Sequence, residues 1–157
     1  YEVGVQHAIG SDISLNVAAF YRDMADLVGR RYITGLNVPR DYYMFDNVHY
    51  GVAKGVDIIV KKKFSRHFSG YVNYTYSNVR TSDSSVLYFP TIPINRLVTA
   101  DWDQPHIVHM VLDIRQPNNW GVNIMGYFAS GMPHTVELEP NTERGPWLHQ
   151  VDIQADK

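Results

Sequence analysis

His109 and Asp113 stand four residues apart, a spacing that on an extended chain puts both on one face. A histidine beside a carboxylate is the pairing of a general base with the group that orients it. The local pattern sets no serine next to them, so hydrogen bonding inside a polar interior is the competing role. His106 and His109 are three apart, which puts them on opposite faces of a strand and keeps them from sharing a metal without a bulge. Glu137, Glu139 and Glu143 fall in one polar stretch. They could collect a hard cation such as Ca²⁺ or form a solvated loop face. Lys61-Lys62-Lys63 reads as an interfacial anchor rather than a nucleic-acid patch. Asn73-Tyr74-Thr75 matches a glycosylation acceptor in form and is read as chance. Tyr42, Tyr43, Tyr88, Phe89 and Arg96 fall in long polar connections, where tyrosine gives broad ligand contact at low entropic cost; loop packing without a ligand is the competing reading. No catalytic, cofactor or metal residues are assigned.

Composition narrows the classes. The 157 residues hold 14 Lys and Arg against 16 Asp and Glu, a net charge of −2, which argues against a nucleic-acid partner. With 45% apolar residues the chain is not an acidic disordered tail. Cysteine is absent, which excludes disulfides, thiolate zinc sites and a Cys nucleophile. Aromatics reach 13%, and Tyr (11) outnumbers Phe (6), so most rings carry a polar tip suited to a boundary between water and an apolar phase. Mean hydropathy is −0.26, and no apolar run approaches the ~18 residues of a spanning helix.

The elements that must position these residues alternate with period two. Tyr1, Val3, Val5 and Ile9 share a face against Glu2, Gly4, Gln6 and Ala8. After a Gly10-Ser11-Asp12 turn, Ile13, Leu15, Val17 and Ala19 oppose Ser14, Asn16 and Ala18, which completes a hairpin. A third strand over about Tyr50 to Lys62 sets Val56, Ile58 and Val60 against Gly51, Ala53, Gly55 and Asp57. The fourth sets Val72, Tyr74 and Tyr76 against Ser69, Tyr71, Asn73, Thr75 and Ser77. The fifth sets Val108, Met110, Leu112 and Ile114 against His109, Asp113 and Arg115. The sixth sets Trp120, Val122, Ile124 and Phe128 against Asn123 and Tyr127. The last, near Leu148 to Asp156, sets Val151, Ile153 and Ala155 against Gln150, Asp152 and Gln154.

Connections near 10–12, 64–67 and 116–119 are short, and those near 34–47, 81–104 and 130–146 are long. Short turns on one rim and long loops on the other describe an antiparallel up-and-down sheet crossing a bilayer. Strands of about 9–11 residues fit a tilted crossing better than a soluble sandwich, whose strands average about 5–6. Aromatics gather near strand ends, at Tyr1, Tyr21, Tyr50, Phe68, Tyr76, Trp102, Trp120, Phe128 and Trp147, in the manner of interfacial girdles. Lys54 falls on the lipid face but near the long-loop end, where it can snorkel. The expectation is an all-β, partial transmembrane β-barrel. Seven strands is an odd number for a complete barrel, so 1–157 is expected to be a fragment with further strands beyond both ends.

Several stretches resemble those of TonB-dependent outer-membrane receptors. Tyr50-Gly51-Val52-Ala53-Lys54-Gly55-Val56-Asp57 running to Lys61-Lys62-Lys63-Phe64 is similar to a strand leading into a short periplasmic turn, and Ser69 to Ser77 to the strand after it. Asp101-Trp102-Asp103-Gln104-Pro105-His106 resembles the lead-in to a later strand. Tyr127-Phe128-Ala129-Ser130-Gly131-Met132-Pro133-His134-Thr135 resembles the exit into a loop, and His149-Gln150-Val151-Asp152-Ile153 a strand near the C-terminus. The resemblance covers nearly the whole chain in the family's order. It implies a 22-stranded barrel closed by an N-terminal plug, uptake of a ferric siderophore, cobalamin or oligosaccharide, and energy from a TonB-type protein. The plug, the energy-coupling box and the final aromatic-ended strand are not in this sequence. The implied partners are outer-membrane lipid, the rest of the barrel and the plug. The alternatives are a small complete barrel with an anchoring role, a barrel hydrolase and a soluble β-sandwich binding module.

Overall fold

The computed structural model describes residues 1–33, 40–65, 67–82, 97–116, 119–137 and 139–157. The described residues form ten strands: β1 (Glu2–Ile9), β2 (Ile13–Ile33), β3 (Tyr42–Ser65), β4 (Phe68–Ser82), β5 (Leu97–Thr99), β6 (His106–Gln116), β7 (Trp120–Ala129), β8 (Pro133–Val136), β9 (Glu139–Arg144) and β10 (Leu148–Asp156). The main sheet runs β1-β2-β3-β4-β6-β7-β10, with β5 added to the end of β4 and β8-β9 forming a separate hairpin. Every pairing is antiparallel. The seven long strands are the seven read from the alternation.

Local chemistry explains the reversals. Gly10 holds φ at 65°, a left-handed value open to glycine, and lets β1 return as β2 across three residues. Far up β2, Asp26 takes φ 57°, and the register with β3 shifts between Met24 and Leu27. That is a bulge, and Asp is among the residues that tolerate its backbone. Beyond the bulge the hairpin continues to the pair Ile33 and Tyr42. Tyr42 and Tyr43, expected in a loop, therefore lie on the extension of β3, about half exposed. Aromatic residues suit such a ladder because a ring packs well on a pleated surface.

The register decides which side chains share a face. Directly paired residues lie on the same side of an antiparallel sheet. Leu15 pairs with Val60, Val60 with Val72, Val72 with Met110, Met110 with Gly126, and Gly126 with Val151. By the two-residue period Val56 joins Val60, and Ile124 joins Gly126. Val56, Val72, Met110, Ile124 and Val151 therefore face one way, together with Val3, Val5, Val17, Ile58, Leu112 and Ile153. His7 belongs to this face through its pair with Leu15, three residues from the turn at Gly10.

Nothing packs over this stripe among the described residues. The apolar residues buried below one-tenth exposure are Ala100 and Ala129. Even on central strands, Val60 and Val72 stay 39% and 37% exposed. A sheet with so many aliphatic side chains and no second layer lacks the core that stabilises a soluble domain. The strand edges of β1 and β10 each pair on one side, and every residue of both strands is exposed.

Candidate functional site

Among the described residues, polar groups gather on the face opposite the aliphatic stripe, at the rim where the long connections meet, and at the short turns of the other rim. On the polar face, the Thr75 hydroxyl donates to Asp57 Oδ1 at 2.6 Å and ties β4 to β3. The His109 ring lies on Tyr127, with centroids 4.8 Å apart. His109 and Asp113 do share this face. Asp113, however, is held by Arg115, whose Nε donates to both carboxylate oxygens at 2.9 and 3.0 Å. The acid is thus committed to a guanidinium rather than to the imidazole. Asn73 Oδ1 is enclosed on the same face without a hydrogen-bond partner among the described residues.

His106 lies on the aliphatic side, opposite to His109. Its Nδ1 meets the Tyr74 hydroxyl at 2.9 Å, and the ring contacts Tyr76 (5.3 Å) and stacks on Trp147 (6.0 Å). The polar tip of Tyr74 is thereby satisfied although its ring sits on an apolar face. Two aromatic levels emerge: Tyr21, Tyr76 and Phe128 toward the long connections, Phe68 and Trp120 toward the short turns. Phe68 and Tyr76 are eight positions apart, as are Trp120 and Phe128. Eight steps cover about 27 Å of strand, or about 20 Å of height at the usual barrel tilt. Between them the outward residues are Gly70, Val72 and Tyr74 on β4, and Val122, Ile124 and Gly126 on β7. On β3, Lys54 and Lys62 bracket Val56, Ile58 and Val60; Lys62 Nζ also donates to Ser65 Oγ at 2.5 Å.

The rim is the most tightly built region. Asp103 is fully buried. Its Oδ1 accepts from the Val79 amide at 2.6 Å, and its Oδ2 forms an ion pair with Arg144 Nη2 at 2.6 Å. Arg144 Nη1 also donates to the Asp103 carbonyl at 2.9 Å and to that of Gly131 at 3.3 Å. Gln104 Nε2 donates to the Ser130 carbonyl, and the Ser130 hydroxyl accepts from the His106 amide. Asn141 Nδ2 reaches both the Thr99 carbonyl (2.7 Å) and Asp101 Oδ1 (2.6 Å). A side chain at Gly131 would collide with the Gly145 backbone, so glycine is required for this approach. The stretches Asp101 to His106 and Ser130 to Thr135, noticed separately in the sequence, are parts of one clasp that folds the β8-β9 hairpin back onto the sheet. Both Asp103 oxygens are engaged, so this carboxylate positions backbone rather than standing as a free base.

Glu137 and Glu143 belong to the β8-β9 hairpin rather than an irregular loop. Glu143 lies 3.7 Å from His134 Nε2, and Glu137 sits at the hairpin tip with φ 50°. No cluster of three or more His, Asp or Glu positioned for a metal exists among the described residues. Tyr88, Phe89 and Arg96 lie outside the described residues. At the opposite rim, the Ser11 hydroxyl holds the Asp12 carboxyl below the usual carboxylate range, with help from Ser65, Lys62 and Lys63. The turn charge therefore persists to lower pH and is lost as pH falls through that lowered value.

An uncovered aliphatic band between two aromatic levels, on a sheet whose other face is polar, is the arrangement of a membrane-spanning barrel wall. The fold is that of part of an outer-membrane transporter barrel. Superposition on the crystal structure of the outer membrane transporter YddB from Escherichia coli covers 98% of this chain, with a TM-score of 0.69 and 12% sequence identity. The chain spans 25% of that transporter's length. At this identity the likeness is one of backbone. No family model and no curated protein sequence matches the chain. The correspondence makes the chain an open, antiparallel section of a transporter-like barrel fold.

Proposed function

We propose that this chain forms part of the barrel wall of an active-transport receptor in the outer membrane. The receptor takes up a scarce ligand such as a ferric siderophore, cobalamin or an oligosaccharide, and draws its energy from a TonB-type protein acting through a plug domain. The observation that carries this reading is the two-faced sheet: aliphatic side chains with no protein layer over them, backed by a polar face of Asn, Thr, His and Asp. Hydrocarbon covers the first face at no cost, and a wet lumen solvates the second. The bare edges of β1 and β10 are completed by other strands of the barrel, because an unpaired edge in lipid costs several kcal/mol per backbone group. Asn73 Oδ1 is an acceptor that a donor from the barrel interior satisfies. The receptor motifs add to this, since two of them build the rim clasp.

The chain has no part in covalent chemistry on this reading. His109 rests on Tyr127 and Asp113 is neutralised by Arg115, so neither is poised to move a proton for a substrate. Uptake in cells carrying the full-length protein tests the proposal, with radiolabelled ferric siderophores, cobalamin and an oligosaccharide as probes. Accumulation of one of them should disappear when either this gene or the gene of the energy-coupling protein is deleted. Accumulation that survives loss of the coupling protein, or none of any probe, would contradict it.

A further inference from the structure

Lys54 is a cation on the aliphatic face of β3. It pairs with Tyr21 on one side and Asn78 on the other, one outward step above the Val56 and Tyr76 pair. The next outward step on β4 is Arg80, which pairs with Val52. Lys54 and Arg80 are therefore diagonal neighbours on adjacent strands, with Cα atoms about 7–8 Å apart. Both are exposed, and neither makes an ion pair among the described residues. Among the described residues here, Asp23 pairs across from Val52 and hydrogen bonds with the Tyr21 hydroxyl, and Asp101, two residues past the Arg80 partner Thr99, accepts from Asn141 Nδ2 at 2.6 Å. Both carboxylates are thus already engaged, and neither forms an ion pair with Lys54 or Arg80. Beside Arg80 opens a groove of about 350 Å³, walled by β5 (Leu97–Thr99) and by Pro140–Thr142 of β9.

We propose that Lys54 and Arg80 form a binding site for the phosphorylated headgroup of a membrane lipid. The proposal rests on the barrel reading above. Charge complementarity and position select this occupant. The cations lie immediately past the aromatic level on the lipid-facing side, at the height of a headgroup whose acyl chains run down over Val56 and Val72. The two side chains converge on one phosphate, Arg80 supplying a planar fork and Lys54 a point charge. The groove beside Arg80 receives the polar remainder of the headgroup. Lys54 is then a ligand rather than a tolerated exception.

The test uses the full-length protein purified in non-ionic detergent, with a bis-phosphorylated glycolipid, its dephosphorylated form and inorganic phosphate as probes. Bound lipid is counted by native mass spectrometry. The phosphorylated glycolipid should bind, and the K54Q/R80Q protein should bind it about 30-fold more weakly, as two interfacial cations imply. The charge-preserving K54R/R80K protein should bind like the wild type. Equal binding by K54Q/R80Q, or equal binding of the dephosphorylated form, would overturn the site. Complete displacement by inorganic phosphate would reassign it to a free anion and overturn the lipid assignment. Heat-dependent gel mobility runs alongside: a wild-type protein that lacks the shift of a closed barrel fails the barrel reading, whereas a folded barrel with unchanged lipid binding fails only this proposal.

Discussion

Replacing Arg144 by alanine is expected to open the β8-β9 hairpin while leaving the seven-stranded sheet intact. The change strands the Asp103 carboxylate, which is fully buried and pairs with Arg144 at 2.6 Å. Removing one partner of a buried pair typically costs about 3–5 kcal/mol, since the other charge remains without compensation. Arg144 is itself about one-third exposed, so water can reach part of the vacated space and the lower end applies. A local cost of about 3 kcal/mol is a factor of over a hundred in the opening equilibrium. Hydrogen exchange of the Pro133–Arg144 amides should accelerate by about that factor, with the amides of β6 and β7 unchanged. The double change D103L/R144M removes both charges and should recover much of the protection. Unaltered exchange in R144A would mean that the ion pair does not hold the hairpin.

The second large effect separates two neighbours on one strand. Ile124 stands midway between Trp120 and Phe128 on the aliphatic face of β7; Asn123 stands on the polar face, paired with Asp113 and Gln154. Arginine at Ile124 is expected to cost about 2–4 kcal/mol, the penalty for a cation at mid-depth on a lipid-facing strand. Arginine at Asn123 faces the interior and lies beside a carboxylate, so a change within about 0.5 kcal/mol is expected. Urea titration of the full-length protein folded into lipid vesicles measures both. Were the aliphatic face in water, the two variants would differ little, because an exposed arginine is well hydrated on either side.

The sheet was legible because lipid and lumen impose a strict period of two. Each of the seven long strands carries that imprint where its faces are opposed, as in Val72-Asn73-Tyr74-Thr75. Beyond the aromatic levels the constraint ends, and so does the signal. The stretch from Asp23 to Ile33 mixes charge and apolar residues without a period, and the bulge at Asp26 reverses whatever pattern remains. The extensions of β2 and β3, and with them the strand positions of Tyr42 and Tyr43, had no sequence signature for that reason. The three-residue β5 and the β8-β9 hairpin are short and polar, and composition alone reads them as loop. The clasp was half visible. Asp103 and Ser130 lie in stretches that stood out by resemblance, but nothing in the order of residues announces that Arg144, 41 positions from Asp103, supplies the countercharge. Long-range ion pairs leave no periodic trace. An arginine in an otherwise acidic segment after Glu137, Glu139 and Glu143 was the available hint.

The chain holds no cysteine, so once any thiol elsewhere in the full-length protein is replaced by serine, a single introduced cysteine here reports on one position. The most direct measurement places cysteine in turn at Val56, Val72, Met110, Ile124 and Val151, and at Thr75, Asn123 and Gln150, in the full-length protein in outer-membrane vesicles. Each is then challenged with a membrane-impermeant maleimide and with a lipid-soluble one. The first group should resist the water-soluble reagent and react with the lipid-soluble one, and the second group should show the opposite preference. Equal labelling of the two groups by the water-soluble reagent would show that the aliphatic face meets water, and the transporter-wall account would fail.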